Sequence, residues 1–260
     1  MDRYRSAAKP MKQRIFLSVV IPVFNESRRI HHLGEVQAFL DSQDFTSETI
    51  VVDDGSSDDT LQKLSPWKGQ ERFQIISYHP NRGKGYAIKR GMGQAAGEFR
   101  IFMDIDLSTS LEEFHKFLPF LWSHDIVIGT RKDIKGNIVE HQPWIREALG
   151  KGFTFLSRVM LQVWLSDFTC GFKCFSAKAA NAIFPRLTID RWGFDSEILF
   201  LAKRFGFSVE EVTVRWKNDR LTRVKFPQDI IRSFSDLLTI RLNDLRGVYH
   251  QSRPPRPPAR

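Results

Sequence analysis

Cysteine is almost missing from this chain. Its 260 residues include only Cys170 and Cys174, with three residues between them rather than in a Cys-x-x-Cys and with no histidine pair nearby. That excludes a disulfide scaffold and a zinc finger, and it reads as two reduced, partly buried packing residues of a cytosolic protein. Long apolar runs are missing too. The best stretch, Phe153 to Leu165, is broken by Arg158, so no segment reaches membrane-spanning length. The leader, residues 1–14, is basic and polar without the apolar core of a secretory signal. Glycine cradles for phosphate are also lacking. Gly83-Lys84-Gly85 has no upstream glycine at Walker spacing and no Ser or Thr after the lysine. Gly91-Met92-Gly93-Gln94-Ala95-Ala96 fits the relaxed dinucleotide pattern, but it closes a helix before a strand instead of opening one after it.

What is present is a foldable, basic chain. A hydrophobic content of 42% with 12% aromatic residues suffices for a sizeable core. The formal net charge of +9 predicts attraction to an anion: nucleic acid, a membrane surface or a phosphorylated substrate.

The centre of the sequence is Arg100-Ile101-Phe102-Met103-Asp104-Ile105-Asp106-Leu107-Ser108-Thr109. The apolar run Phe99 to Met103 reads as a buried strand ending on two carboxylates. In an extended strand Asp104 and Asp106 share a face while Ile105 turns into the core. Two carboxylates that close favour a cation between them, and hard oxygen ligands suit Mg²⁺ or Mn²⁺ and through it a diphosphate. The plain alternative is that one aspartate caps the next helix, as Ser108, Thr109 or Ser110 can, and the other is solvated.

Other segments reach the same place. Ile15 to Pro22 is a nearly continuous apolar run, as in a parallel strand covered on both faces, and Phe24-Asn25-Glu26-Ser27 follows it. A helical pattern through Ile30, Leu33, Val36, Phe39 and Leu40 leads to the strand Glu48 to Val52, which ends on Asp53-Asp54-Gly55-Ser56-Ser57-Asp58. Ser57 or Asp58 can cap the helix carrying Leu61 and Leu64. A third strand, Phe73 to Tyr78, runs into Asn81-Arg82-Gly83-Lys84-Gly85 and a helix from Tyr86 to about Ala96. The strand Asp125 to Gly129 delivers Thr130-Arg131-Lys132. Strands alternating with helices predict an α/β fold with a doubly wound, mostly parallel sheet, helices on both faces and ligands at the carboxyl edge. Lys84 reads equally as a diphosphate contact or a solvated loop lysine.

Residues 132–143 form a polar loop, and Trp144 to Leu165 a helical stretch with Arg146, Lys151 and Arg158 on an apolar surface. Asp167 to Phe175 reads as a turn and an edge strand, followed by a helix from Ala177 to Ile183. Arg191-Trp192-Gly193-Phe194-Asp195-Ser196-Glu197 opens another helix, in which Asp195 and Glu197 are at the least first-turn carboxylates favoured by the helix dipole. A strand, Val209 to Trp216, precedes the basic Arg215, Lys217, Arg220, Arg223 and Lys225. The last helix, from Gln228, puts Ile231, Phe234, Leu238, Leu242, Leu245 and Tyr249 on one face, either packed on the domain or lying in a bilayer interface. The expected division is a flexible leader (1–14), one domain (15–227), an amphipathic helix (228–249) and a Pro/Arg tail (250–260) with no core to join.

Taken in order, Ser18 to Glu26, Val51 to Ser56, Asn81 to Gly85, Asp104-Ile105-Asp106 and Gly129-Thr130-Arg131 resemble the GT-A (Rossmann-like) glycosyltransferases of family 2, in particular the polyprenyl-phosphate sugar synthases. Asp167 to Phe175, Arg191 to Leu199 and Asp236 to Leu242 look most like the dolichyl-phosphate β-glucosyltransferases. The likeness spans roughly residues 15 to 245. It implies an inverting transfer of a hexose, glucose from UDP-glucose ahead of mannose from GDP-mannose, to a polyprenyl phosphate, on the cytoplasmic face of a membrane that the chain touches peripherally. In that scheme Pro22, Phe24, Glu26, Val51 and Asp53 hold base and ribose. Asp104, Ile105 and Asp106 meet the divalent ion and diphosphate, and Lys84, Arg131, Arg146, Arg220 and Arg223 face phosphates. Asp167, Asp195 and Glu197 orient arginines or sugar hydroxyls. The mannosyl relatives carry a glutamine where this chain has Ser108, and their Gly-x-Ser-Lys-like turn appears here as Leu221-Thr222-Arg223. A transferase with a soluble acceptor keeps the donor half of this reading. A nucleic-acid-binding module, the competing class, leaves three carboxylate-tipped strands without a purpose, so no nucleic-acid partner is expected.

Overall fold

A computed structural model of the chain describes residues 14–131, 144–217 and 228–250, with side chains undescribed in 144–151 and 228–231. Strand β1 (Leu17–Val23) is the apolar run of the N-terminal segment, and helix α1 (His32–Asp41) returns the chain to β2 (Ser47–Asp53). Then come α2 (Thr60–Leu64), β3 (Phe73–Ser77), α3 (Lys84–Gln94) and β4 (Phe99–Phe102). The second half contains β5 (Ile126–Thr130), α4 (Trp144–Leu161), β6 (Lys173–Ser176), α5 (Ala177–Ile183), α6 (Phe194–Arg204), β7 (Val209–Thr213) and α7 (Gln228–Leu245). One sheet results, ordered β3-β2-β1-β4-β6-β5-β7.

Six strands run parallel and β6 runs against its neighbours, pairing Lys173 with Phe102 of β4 and with Ile128 of β5. The sequence reading put this strand at an edge. It is central, because Phe172, Cys174 and Phe175 are all buried and need a neighbour on both sides. The reversal has a functional consequence: the carboxyl ends of the parallel strands and the start of β6 lie along one edge, so Asp167–Lys173 arrives beside Asp104.

Alternation along the strands feeds two cores. Val20, Ile50, Val52 and Phe102 face α3 and the helices of the second half, whereas Val19, Ile21, Val51 and Ile101 face α1 and the 3₁₀ segment Leu111–Lys116. A side chain at Gly91 would run into Val20 and Val52, so glycine there lets α3 lie against β1 and β2. Both cysteines are fully buried, more than the expected partial burial, and burial pushes the Cys170 thiol up to about 11. Helix α7 joins the first core through Leu237 and Ile240; of the face read from its sequence, Phe234 packs on Phe153 and Tyr249 beyond the helix is buried, while the leucines between them are exposed. It carries two apolar stripes, and the second, Leu238, Leu242 and Leu245, is exposed. No helix among the described residues is long and apolar enough to cross a membrane.

Candidate active site

The site is built from loops at the carboxyl edge of the sheet. After β1, Asn25 takes a left-handed conformation (φ 52°), and its Oδ1 accepts hydrogen bonds from the Ser57 and Asp58 amides (2.7 and 3.3 Å). This ties the Phe24–Ser27 loop to the loop after β2. Glu26 pairs with Arg29 at 2.7 Å, both almost buried. Pro22 and Phe24 are half-buried at the rim. Val51 is fully buried in the second core and offers a ligand no side-chain surface. Asp53, also fully buried, accepts from the Ser56 amide (3.1 Å) and Ser77 Oγ (2.9 Å) and braces its own turn.

Asp54 does work that the sequence reading missed. Its carboxylate accepts from Asn81 Nδ2 and from the Arg82 and Gly83 amides, all at 2.7–2.8 Å. The loop before α3 is thereby fixed, and Lys84 is delivered across the edge to Asp104 Oδ1 at 2.5 Å. Consecutive acidic residues at a strand end facing an Asn-Arg-Gly loop were the available signal.

Asp104 and Asp106 do not continue β4 as an extended strand. They stand in a turn, with Leu107 at φ 51° and its amide donating to the Asp104 carbonyl (3.4 Å), because the chain must reverse toward the 3₁₀ segment. Ile105 is buried in the core as expected, and its carbonyl faces His32 Nδ1 at 2.9 Å. Ser108 donates its amide to Asp106 Oδ1 (2.9 Å), and Ser110 caps the next helix by accepting from Glu112. Burial, reinforced by the charge of Asp104, raises the Asp106 pKa above the usual carboxylate value. Burial alone would lower Lys84, but Asp104, Asp195 and Asp106 together outweigh it and keep the ammonium charged.

The first core supplies a fully buried lysine. Lys173, fully buried, donates to Asp195 Oδ1 (2.6 Å) and to the Cys170 carbonyl (2.5 Å). Asp195 also feels Lys84 and Asp104, so a line of alternating charge runs from Lys173 through Asp195 and Lys84 to Asp104. Burial still raises the Asp195 pKa, the two lysines offsetting it only in part. A lysine inside Gly-Phe-Lys-Cys-Phe, an otherwise apolar strand, was the sequence signal for this residue.

At the end of β5, Arg131 grips Asp167 bidentately (2.7 and 2.8 Å) and donates to Thr169 Oγ1 (2.7 Å). Although burial opposes ionisation of Asp167, the guanidinium holds its carboxyl far below the usual range. Asp167 thus holds Arg131 in place. Glu197 has other partners: its oxygens accept from the Thr188 and Ile189 amides and from Tyr249 Oη, which locks α6 to its surroundings. Arg215 pairs with Glu113 at 2.9 Å. Arg146 lies on α4 with its side chain undescribed, and Arg220 and Arg223 fall outside the described residues.

The donor set fits a hard divalent cation. Asp104, one of two carboxylates on this turn, already holds a cationic group, the Lys84 ammonium, and a side chain at Gly171 would strike the Asp104 carboxylate, so glycine keeps that flank open. Mg²⁺ and Mn²⁺ sites use few protein carboxylates and complete their shell with water and substrate phosphates.

The α/β sheet with this order and the carboxylates on its strand tips match a glycosyltransferase of the GT-A kind. The chain belongs to glycosyl transferase family 2, whose pattern matches residues 18–184. Among its relatives are dolichyl-phosphate β-glucosyltransferases from Dictyostelium discoideum, 30% identical over 250 residues (90% of this chain, 76% of that one), and from Homo sapiens, 32% identical over 256 residues (92% and 78%). Its fold is shared with Mycobacterium tuberculosis glucosyl-3-phosphoglycerate synthase, in a crystal structure with Mn²⁺ and UDP-glucose. The TM-score there is 0.63 at 18% identity, covering 88% of this chain and 78% of that one.

Proposed function

We propose that the protein transfers glucose from UDP-glucose to a polyprenyl phosphate, with inversion, giving a β-linked glucosyl phosphate lipid. The observation that carries this reading is the Asp104–Asp106 turn with Lys84 paired to Asp104, at the sheet edge where β5 also ends on the Asp167-held Arg131. The relatives' names supply the sugar and the lipid. One phosphate oxygen of the acceptor attacks the anomeric carbon while the bond to the diphosphate breaks, and UDP leaves with the electron pair. The acceptor is already an anion at neutral pH, so no strong general base is needed. Asp104 and Asp106 would hold Mg²⁺ or Mn²⁺, which when bound neutralises charge on the departing diphosphate. Lys84 adds a positive charge beside it, and Arg131, held by Asp167 and Thr169, orients the acceptor phosphate. Arg146, Arg220 and Arg223 complete the phosphate grip in this scheme.

The acceptor's tail needs an apolar surface next to a membrane. Helices α4 and α7 pack together, with Phe153 against Phe234 (ring centroids 5.7 Å apart), and display Phe155, Val159, Leu238, Leu242 and Leu245 to solvent. Exposed Arg232 and Arg246 on and just after α7, with the overall charge of +9, complement anionic lipid headgroups.

Purified protein supplied with Mn²⁺ and either UDP-glucose or GDP-mannose tests both parts. Glucose from UDP-glucose is expected on the lipid, at least about tenfold faster than mannose from GDP-mannose. Preference for GDP-mannose would overturn the donor assignment. Leu238→Glu with Leu242→Glu should reduce transfer to polyprenyl phosphate in anionic vesicles and spare transfer to a short, water-soluble prenyl phosphate. Equal rates for variant and wild type on vesicles would remove the membrane contact.

A further inference from the structure

We propose that His31, His32 and Glu35 form a second cation site, selective for a Zn²⁺-class ion and separate from the Asp104–Asp106 pair. The three residues sit at the start of α1, where positions one turn apart on a helix present their side chains together. One ligand atom from each lies within 4.8 Å of the other two, and the imidazole rings stand edge to face at 4.2 Å between centroids. His31 and Glu35 are exposed and His32 is half-buried, so an ion can enter from solvent.

The environment of His32 fits a ligand. Its Nδ1 lies 2.9 Å from the Ile105 carbonyl, an acceptor only, so the proton belongs on Nδ1 and the lone pair on Nε2. A backbone carbonyl behind a histidine is the usual outer partner of a metal-bound imidazole, fixing its tautomer and ring orientation. Two imidazoles and one carboxylate suit Zn²⁺ and neighbouring transition ions, leaving a fourth position for water. Mg²⁺ prefers oxygen alone, which is what the Asp104–Asp106 turn offers. The two sites therefore differ in hardness, and the carbonyl that braces His32 belongs to the residue between the two catalytic-site aspartates. The transfer proposed above makes no use of His31 or Glu35.

The test is a titration of the metal-stripped full chain with ZnCl₂, by equilibrium dialysis in excess MgCl₂. Wild type is expected to bind one equivalent in the micromolar range. His31→Ala and Glu35→Gln should each weaken it at least about tenfold, while Asp104→Ala with Asp106→Ala leaves it unchanged. Both single substitutions are at exposed positions, and a circular-dichroism melt matching wild type verifies folding. Zn²⁺ binding that survives both His31→Ala and Glu35→Gln, that disappears with the aspartate pair, or that is absent from wild type would overturn the site.

Discussion

Asp104→Ala combined with Asp106→Ala is expected to lower the transfer rate by roughly a hundred- to a thousandfold, the scale of losing a main electrostatic contact to the departing group. The two carboxylates are what the turn after β4 presents to a cation, and the Lys84 ammonium at 2.5 Å from Asp104 is free of its partner once that residue is gone. The double variant should remain folded, since Asp104 and Asp106 are only partly buried and the packing beneath them comes from Ile105 and Met103. Steady-state rates over a Mn²⁺ series measure the effect. Activity within about threefold of wild type would mean that the pair is not the donor clasp. A pH consequence accompanies it. Burial and Asp104 raise the Asp106 pKa, and a cation binds only the ionised carboxylate. Donor affinity is therefore expected to fall, as pH is lowered, at a higher pH than a free aspartate with pKa of about 3.9 would give.

Lys173→Met is the second large effect, and it separates stability from catalysis. Removing the ammonium leaves Asp195 buried without its closest counter-charge, at a cost of about 3 kcal/mol. Replacing both partners, Lys173→Met with Asp195→Leu, should recover most of that, because a buried ion pair exchanged for apolar groups of similar volume is close to neutral. Activity should not recover with it. Asp195 is also one of the charges that hold Lys84 protonated against Asp104, so the stable double variant keeps its fold and loses roughly ten- to a hundredfold in rate, as second-layer contacts do. Urea unfolding and transfer rates on the same preparations give the two readings. A double variant as active as wild type would place Asp195 outside the site.

Much of this was legible in the residue order. Strands with near-continuous apolar runs, β1 and β2 above all, announce parallel neighbours on both sides, and a carboxylate after each marks the edge where charge collects. Local pattern placed α5 to the residue, because Ser176 is a standard N-cap whose side chain accepts from the Ala179 amide. What was not legible depended on contacts distant in sequence. The central, antiparallel place of β6 follows from pairing with β4 and β5, more than 40 residues away in β5's case and more than 70 in β4's, and a four-residue strand carries no signal of direction. The role of Asp54 as a loop clamp and of Glu197 as a lock on Thr188 and Tyr249 likewise needs the fold. Helix α7 misled because both of its apolar stripes have helical spacing. Which of them packs is decided by the neighbouring helices, and Leu237 and Ile240 face them.

The clasp itself can be seen directly. Crystals grown with Mn²⁺ and UDP, measured at the manganese absorption edge, should show one strong anomalous peak between the carboxylates of Asp104 and Asp106, in contact with the nucleotide's phosphates and with Lys84 turned aside. Manganese bound elsewhere on the chain, with UDP seated and both aspartates empty, would contradict the account.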